Sequence, residues 1–258
     1  MFNKKGRTMQ IGNTKAIVTG GASGLGLATA TLFRENGAQV TIFDRDPNGE
    51  SVASGIGANF VLTDVTDEDS VQSAVSFADS KMGGISAAVN CAGIATGEKT
   101  VGREGPHSLS AFQRTIDVNL IGTFNVSRLA AVEIAKNDPA SDGARGVIIN
   151  TASIAAFDGQ KGQAAYAASK AGIAGMTLPM ARDLANLGVR VMAIAPGIFM
   201  TPMLEGLGEE IQAGLAASVT CPKRLGDPSE YASLAKFIVV SGYLNGETIR
   251  IDGALRMK

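Results

Sequence analysis

Tryptophan is absent from the chain, and histidine, cysteine and tyrosine are scarce. The 258 residues include one His, two Cys and three Tyr. Cys91 and Cys221 do not have the spacing of a metal site or of a redox pair, which indicates a reducing compartment. Because His and Cys do not cluster, the sequence predicts that the protein binds no metal.

Long apolar runs and an excess of either charge are also missing. The apolar runs fall short of the roughly 18–20 residues that cross a membrane, so we expect no membrane association. The formal net charge is −1 and the basic residues are scattered, which argues against nucleic acid as a partner. Residues 1–13 have no apolar signal core and are predicted to form a flexible extension. We therefore expect a cytoplasmic location, or the mitochondrial matrix if the source is eukaryotic.

Glycine, in contrast, is abundant, at 32 residues, and short apolar runs alternate with longer helix-like segments. Several of these runs lack strict alternation of polar and apolar residues, as is typical of parallel strands covered on both faces. The predicted strands are Lys15–Gly20, Gln39–Asp44, Asn59–Val65, Ala87–Gly93, Gly146–Ser153, Val189–Gly197 and Glu247–Gly253. The predicted helices between them are Gly24–Glu35, Glu68–Lys81, Ser110–Lys136, Gln163–Leu187 and Pro228–Val239.

This order of elements predicts an α/β fold in which one doubly wound Rossmann-type domain spans residues 1–258. Strands and helices that alternate in this way connect by right-handed crossovers and form a parallel sheet, here of about seven strands. The loop Asn137–Gly146 is too short to separate two domains.

The segment TGGASGLG, between the first predicted strand and helix, contains Gly20, Gly24 and Gly26. Glycines here permit a tight turn and let backbone amides approach a pyrophosphate at the positive helix N-terminus; a plain strand-to-helix turn is the alternative. The second predicted strand ends at Asp44, which can accept hydrogen bonds from an adenosine ribose and would repel a 2′-phosphate. This pattern favours NAD over NADP, although Arg45 could pair with such a phosphate or be a solvated charge.

Tyr166 and Lys170 are four positions apart in a predicted helix of small residues, so they lie on one helix face. An ammonium beside a phenol stabilises the phenolate and lowers its pKa, which suits the pair to proton transfer with an alcohol oxygen. Ser153 closes the fifth predicted strand, at the sheet edge where ligands bind, and its hydroxyl could hydrogen-bond the same oxygen. For each residue alone, a solvated surface position or a turn is the alternative.

Seven motifs together resemble the short-chain dehydrogenase/reductase family, over a span from Lys15 to Gly253. They are TGGASGLG, LTDVT, NCAG, DVNLIGTF, NTAS, YAASK and APG followed by Thr201. The resemblance implies that NAD lies across the carboxyl ends of the strands. It also implies that Ser153 and Tyr166 bind the substrate hydroxyl, that Lys170 lowers the pKa of Tyr166 and holds the nicotinamide ribose, and that Asn119 completes a proton relay.

The same resemblance implies further cofactor contacts. Asp64 and Val65 would bind the adenine, Asn90 would stabilise the central strand beside the cofactor, and Asn119 would bend its helix and hold a water linked to the lysine. The remaining contacts would come from Gly20, Ser23, Gly24, Leu25, Gly26, Ala92, Gly93, Pro196, Gly197, Ile198 and Thr201. Cys91 stands where the family usually has a second Asn, and this departure gives no reason to assign Cys91 to catalysis.

Within the family, three segments resemble the type-2 3-hydroxyacyl-CoA dehydrogenases: residues 146–179, 224–232 and 244–257. This resemblance implies NAD-linked interconversion of a 3-hydroxyacyl-CoA and a 3-ketoacyl-CoA by a homotetramer. Two alternatives stay open. One is action on another alcohol or carbonyl, such as a steroid, a simple ketone or an acyl-carrier-protein thioester. The other is a non-catalytic dinucleotide-binding protein.

Three further features carry hypotheses. Lys99 and Arg103 could pair with the phosphates of CoA, or they could be solvated loop charges. Met200–Leu207 and Ile211–Val219 are predicted to form a mobile apolar lid over the substrate. The single histidine, His107, is predicted to be structural or exposed, because its spacing does not support a Ser–His–Asp hydrolase.

Overall fold

A computed structural model describes residues 9–206 and 208–257. In these ranges, seven parallel strands form one sheet and two short strands form a separate antiparallel hairpin. The strands are β1 (Lys15–Thr19), β2 (Gln39–Asp44), β3 (Asn59–Leu62), β4 (Ala87–Asn90), β5 (Val101–Gly102), β6 (Gly105–Pro106), β7 (Gly146–Thr151), β8 (Val189–Pro196) and β9 (Thr248–Ile251).

The described α-helices connect these strands. They are α1 (Gly24–Glu35), α2 (Gly49–Gly55), α3 (Glu68–Met82), α4 (Leu109–Ile116), α5 (Gly122–Ile134), α6 (Ala164–Asp183), α7 (Pro202–Glu205), α8 (Glu209–Ser218) and α9 (Pro228–Val240). A π-helical turn over Asp117–Ile121 joins α4 to α5, and short 3-10 turns lie at Ile11–Asn13, Ile154–Ala156 and Ala185–Leu187.

The strands of the large sheet follow the order β3–β2–β1–β4–β7–β8–β9. The chain builds the sheet outward from β1 to β3, then returns to the centre with β4 and builds in the opposite direction. The strand order therefore reverses between β1 and β4. Ligands of open α/β sheets bind outside the carboxyl ends of the strands at such a reversal.

Successive residues of the central strands face opposite helical layers. In β1, Ala16 and Val18 belong to the core that contains residues of α1 and α9, whereas Ile17 belongs to the core that contains residues of α3 and α5. All three side chains are fully buried. Burial on both faces explains why the strands are apolar without alternation, as parallel strands between two helical layers require.

Local signals set the ends of several helices. The Asp67 side chain accepts a hydrogen bond from Ser70 N and begins α3, which ends at Gly83 in the left-handed conformation. In α9, Asp227 and Glu230 form a capping box, with Pro228 at the first helical position. The two helices pack on opposite faces of the sheet.

The structure confirms the predicted doubly wound α/β fold with a parallel sheet of seven strands. The predicted bounds of two helices were wrong. The predicted helix Ser110–Lys136 is α4 and α5 separated by the π-helical turn, and the predicted helix Gln163–Leu187 ends as an α-helix at Asp183. Apolar periodicity continues through both breaks, so the sequence did not reveal them. The short, glycine-flanked α2 was also missed.

The predicted flexible extension, residues 1–13, falls partly outside the described residues, which begin at residue 9. In the described part, Ile11–Asn13 form a 3-10 turn, and Met9 and Ile11 pack against the core beneath α1 and α9. Residues 9–13 therefore pack against the domain, because the partly buried side chains of Met9 and Ile11 contact its core. No helix among the described residues combines the length and the apolar character needed to cross a membrane.

Candidate active site

The turn between β1 and α1 lies where the strand order of the sheet reverses, and its glycines leave the backbone there without side chains. Gly20 and Gly24 have φ values of +63° and +53°, which favour glycine. A Cβ on Gly26 would lie 2.2 Å from Gly20 O, and a Cβ on Gly20 would lie 2.8 Å from Ala92 N. Larger residues at Gly20 and Gly26 would therefore push the turn apart, as the glycine-rich pattern predicted.

Asp44, at the end of β2, is attached to this turn. Its Oδ2 accepts a hydrogen bond from Ala22 N at 3.0 Å, and its Oδ1 accepts one from Asp46 N at 3.1 Å. The carboxylate is half-buried beside the turn, and each oxygen keeps a lone pair for another donor. Asp44 therefore lies where a ribose bound next to the turn would reach it.

Asp64 and Val65 follow β3 and form the next part of the wall. Asp64 accepts two hydrogen bonds from Thr66, and these bonds, with the positive charges of Arg45 and Arg114, lower its pKa. Val65 is buried, and a Cβ on Gly122 would lie 2.6 Å from its Cγ2. Asp64 therefore contributes a charged surface to the cleft, and Val65 contributes an apolar surface next to it.

These residues line a cleft of about 1120 Å³ at the carboxyl ends of β1, β2 and β4. Its volume lies slightly above the roughly 300–1,000 Å³ that is typical of small-molecule sites. Eleven of the sequence-predicted site residues line it, namely Gly20, Ser23, Gly24, Leu25, Gly26, Asp44, Asp64, Val65, Ala92, Gly93 and Thr201.

Asn90 lies beneath the cleft and not on its surface. The buried Asn90 side chain donates to Ser127 Oγ at 3.0 Å and to Asn150 Oδ1 at 2.9 Å. It thus ties β4 to β7 and α5. This position agrees with the predicted role of stabilising the central strand, since a buried amide linking three elements fixes their spacing.

Asn119, in the π-helical turn, holds the segment that follows Gly93. Its Oδ1 accepts from Ile94 N at 2.8 Å, and its Nδ2 donates to Ile94 O and to Ser169 Oγ, both at 3.0 Å. The helix is distorted at this residue, as predicted. The fully buried side chain joins the strand end to α6, so its amide is committed to protein groups.

Ser153, Tyr166 and Lys170 do not line this cleft themselves, but Lys170 lies beside Gly93, which does. Ser153 lies close enough to the Tyr166 hydroxyl to lower its pKa, and Lys170 Nζ lies 5.7 Å from the centroid of the Tyr166 ring. The Lys170 ammonium donates to Thr151 O at 2.7 Å, and a Cβ on Gly93 would lie 3.7 Å from Nζ. The fold therefore brings together the residues that sequence assigned to proton transfer.

That Lys170 lowers the pKa of Tyr166 stays a prediction. Burial raises the pKa of Tyr166 above its usual value, and the neighbouring Ser153 hydroxyl offsets only part of this rise. Burial also lowers the pKa of Lys170 to about 8. Both groups thus favour their neutral forms more than in water, because a buried site penalises charge.

The sequence matches the family model for short chain dehydrogenase over residues 14–212. The chain belongs to the short-chain dehydrogenase family. It is therefore an oxidoreductase of the alcohol dehydrogenase type.

Similar proteins span nearly the whole chain. The human 3-hydroxyacyl-CoA dehydrogenase type-2 is 56% identical over 249 residues, which cover 94% of this chain and 95% of that protein. The Drosophila melanogaster 3-hydroxyacyl-CoA dehydrogenase type-2 is 53% identical over 252 residues, or 96% and 99% of the two chains. The crystal structure of 3-hydroxyacyl-CoA dehydrogenase type-2 from Mycobacterium avium superposes with a TM-score of 0.91 at 46% identity, covering 94% of this chain and 96% of that one.

Three of the predicted nicotinamide contacts in this short-chain dehydrogenase do not line the main cleft. Pro196 ends β8, and Gly197 N donates to Ile251 O at 2.9 Å. Ile198 lines a separate pocket of about 70 Å³. Within the predicted lid, Pro202 begins α7 and lines the cleft, α8 follows it, and Leu207 lies outside the described residues. Mobility of the lid stays a prediction.

His107 takes no part in the cleft. Its Nδ1 lies 2.8 Å from Ser108 O and 3.7 Å from Glu98 Oε2, and its ring packs edge-on against Phe112. It joins the hairpin to the start of α4, which agrees with the predicted structural role. In residues 9–206 and 208–257, no group of three or more His, Cys, Asp and Glu side chains is arranged to hold a metal ion.

Sequence reasoning missed the wall that α4 and the π-helical turn contribute. Their cleft-lining residues are Ser110, Ala111, Gln113, Arg114, Asp117, Val118 and Ile121. These residues have no motif of their own apart from the first letters of DVNLIGTF. Their place beside Asp64 follows from the path of the helix over the sheet edge, which spacing along the chain does not show.

Proposed function

We propose that this enzyme interconverts a 3-hydroxyacyl-CoA and the corresponding 3-ketoacyl-CoA with NAD as the hydride carrier. The observation that carries the proposal is the position of Lys170, 5.7 Å from the Tyr166 ring centroid and beside Gly93 of the cleft, with Ser153 next to the Tyr166 hydroxyl. The names of the human, fruit-fly and mycobacterial relatives support the choice of substrate.

The residues of the cleft fit a dinucleotide. A Cβ would fill the narrow turn at Gly20 and Gly26, so the glycines keep it open for a pyrophosphate at the start of α1. Asp44 would accept hydrogen bonds from the adenosine ribose and repel a 2′-phosphate, which favours NAD. When bound, NAD would supply the carbon that accepts a hydride from the alcohol or returns it to the ketone.

The protein side chains would handle the proton. The Ser153 and Tyr166 hydroxyls would hold the substrate oxygen, and Tyr166 would take the alcohol proton during oxidation or give it back during reduction. The phenolate that forms would be buried, so a nearby positive charge stabilises it more than it would in water. Lys170, kept beside the ring by Thr151 O, supplies that charge while it is protonated.

A second pocket supports a thioester with a long polar arm. This pocket, of about 480 Å³, is lined by Lys99, Lys161 and Gln163 among others, and it lies just before α6, which carries Tyr166. Glu98 N donates to Gly162 O at 2.8 Å and holds the hairpin segment against this loop. Lys99 would pair with a phosphate of CoA there, whereas Arg103 lies exposed at the hairpin turn.

A homotetramer is the assembly that we propose. Phe124 and Val132 on α5 and Leu178 on α6 are exposed apolar side chains, and a Cβ on Gly175 would meet no atom within 4 Å. Burying such helix faces between copies by two-fold symmetry would remove them from water, and light scattering at micromolar concentration measures the resulting mass. The cytoplasmic or mitochondrial location stays a prediction.

A substrate panel tests the proposed function. The enzyme is assayed with a 3-hydroxyacyl-CoA, a hydroxysteroid, a simple secondary alcohol and a 3-ketoacyl thioester of acyl-carrier protein, each with NAD(H) and NADP(H). We expect the highest kcat/KM for the 3-hydroxyacyl-CoA with NAD. Absence of this activity would contradict the substrate, and a preference for NADP would contradict the role of Asp44.

A further inference from the structure

Lys170 depends on one carbonyl for its position. Its ammonium donates to Thr151 O at 2.7 Å, and it is buried against the last residue of β7. A buried ammonium without a firmly placed acceptor would be costly. The position of the Thr151 carbonyl therefore decides how far the Lys170 charge lies from the Tyr166 ring.

The side chain of Thr151 belongs to a small polar ring below the cleft. Thr151 Oγ1 lies 2.6 Å from the Tyr231 hydroxyl and 3.6 Å from Cys91 Sγ, and Cys91 Sγ lies 3.6 Å from the Tyr231 hydroxyl. Each group can donate one hydrogen and accept one. The three can therefore satisfy one another if Tyr231 donates to Thr151, Thr151 to Cys91 and Cys91 to Tyr231.

The ring joins three elements that are distant in sequence. Cys91 directly follows β4 and lines the cleft, Thr151 ends β7, and Tyr231 is in the first turns of α9. Tyr231 is fully buried. Its helix is held at this end by the capping box and by the ion pair of Arg224 with Glu230, whose two hydrogen bonds measure 2.7 and 2.8 Å.

We propose that Tyr231 is a positioning residue for the reaction. Through Thr151 and Cys91, its hydroxyl fixes the end of β7, so that Thr151 O holds the Lys170 ammonium beside Tyr166. The role rests on the proposed function of Lys170. It also gives a use to Cys91, the residue at which this chain departs from the family pattern: its thiol fits between the two hydroxyls as donor and acceptor.

Three substitutions test the ring. Tyr231→Phe and Thr151→Val each delete one hydroxyl at nearly constant size, whereas Thr151→Ser keeps the hydroxyl. Tyr243→Phe is the matched control, because Tyr243 is fully exposed. For each variant, kcat, KM, the pH profile of alcohol oxidation and the thermal midpoint are measured on the full chain.

We expect Tyr231→Phe and Thr151→Val to lower kcat about tenfold with little change in KM, since a small displacement of a catalytic group is costly. The alkaline limb of the profile should move to lower pH, because a poorly held ammonium loses its proton more easily. The titratable groups beside Lys170 are Tyr166 and Cys91, and Thr151→Val leaves both in place. Thr151→Ser and Tyr243→Phe should resemble the wild type.

Wild-type kcat and an unmoved alkaline limb in both hydroxyl deletions would overturn the proposal, as would a Thr151→Ser enzyme as impaired as Thr151→Val. If Tyr231→Phe does not fold, the kcat and the alkaline limb of Thr151→Val, compared with those of Thr151→Ser, decide whether the proposal holds. These outcomes are distinct from failure of the proposed function. A wild type inactive on hydroxyacyl-CoA contradicts the substrate, whereas the positioning role is then measured on whichever alcohol the panel shows to be oxidised.

Discussion

The site has an outer end, the cleft around the glycine turn, and an inner end, the residues Ser153, Tyr166 and Lys170 behind Gly93, and the two are built differently. At the outer end, the surface is largely backbone, because Gly20 and Gly26 have no side chains. The Asp44 carboxylate accepts a hydrogen bond from a backbone amide of the same turn. At the inner end, Lys170 is buried and Tyr166 half-buried, and the hydrogen-bond partner of Lys170 lies 19 positions away in sequence.

This difference separates binding from chemistry. To bind a dinucleotide, the outer end needs an open backbone surface and one hydrogen-bond acceptor for the ribose. Short segments of chain supply both. The inner end needs titratable groups with shifted pKa values, and burial produces those shifts only after the sheet and helices have packed. Changes at one end should therefore leave the task of the other largely intact. Four tests follow, on the two ends and on the neighbouring pocket.

The largest effect should come from Tyr166→Phe. This change keeps the ring and removes the hydroxyl that moves the proton, so turnover should fall by about 10²–10⁴-fold, the usual scale for a general acid–base group. The dissociation constant of NAD, measured by calorimetry, should stay near that of the wild type. Near-normal turnover would contradict the mechanism, and an equal loss of NAD binding would contradict the separation of the two ends.

A second test uses the cost of burying Lys170. In the unfolded chain this lysine stays protonated to about pH 10.5, whereas in the fold its pKa is about 8. The unfolded state therefore binds more protons between these values, and the free energy of unfolding should rise with pH across that window.

Lys170→Met removes this dependence. At fixed protein concentration, denaturant unfolding should show that the wild type gains stability relative to Lys170→Met from pH 8 to pH 10.5, by up to about 3 kcal/mol at about 1.36 kcal/mol per pKa unit. Lys81→Met, at an exposed position, is the control. Parallel curves for the wild type and Lys170→Met would show that the buried lysine keeps an ordinary pKa.

Asp44→Ala should act at the outer end alone. It removes an acceptor for the ribose and the repulsion of a 2′-phosphate, so NAD efficiency should fall roughly 10- to 150-fold, given about 1.5–3 kcal/mol for a hydrogen bond to a charged group. The ratio of NADP to NAD efficiency should rise. Asp46→Ala, a nearby exposed acid, is the matched control, and an unchanged ratio in Asp44→Ala would contradict the assignment.

The smallest effect should come from the CoA contact. Replacing Lys99 and Arg103 with Ala should raise KM for the CoA thioester several-fold, because each ion pair at an exposed site contributes only about 0.2–1 kcal/mol. KM for a hydroxy substrate without CoA should not change. Lys99→Ala alone should account for most of the effect, since Lys99 lines the pocket.

Lys136→Ala is the control for the loss of a basic residue. Lys136 lies at the amino ends of the strands, away from the cleft, since the neighbouring Asn137 donates to Ile85 O just before β4. Equal changes in KM for the thioester and for the CoA-free substrate would contradict a contact between these basic residues and CoA.

The sequence predicted β2 and α1 with the bounds that the structure has, Gln39–Asp44 and Gly24–Glu35. Both elements have strong local signals, an apolar run ending in an acid and a glycine turn leading into a helix. Other strands were predicted too long at the carboxyl end, as Asn59–Val65 was against Asn59–Leu62. The extra residues there leave the ladder to form the cleft wall, so apolar character alone did not mark the strand end.

By itself, the sequence determined the layer architecture and the glycine turn with Asp44, and it supplied the candidates for proton transfer. These features depend on which residue types occur at which spacing. Only the tertiary structure decided the direction of the Tyr166 pKa shift, the wall formed by α4, and the ring of Cys91, Thr151 and Tyr231. The reason is that burial and long-range hydrogen bonds join residues up to 140 positions apart, and no local pattern records such contacts.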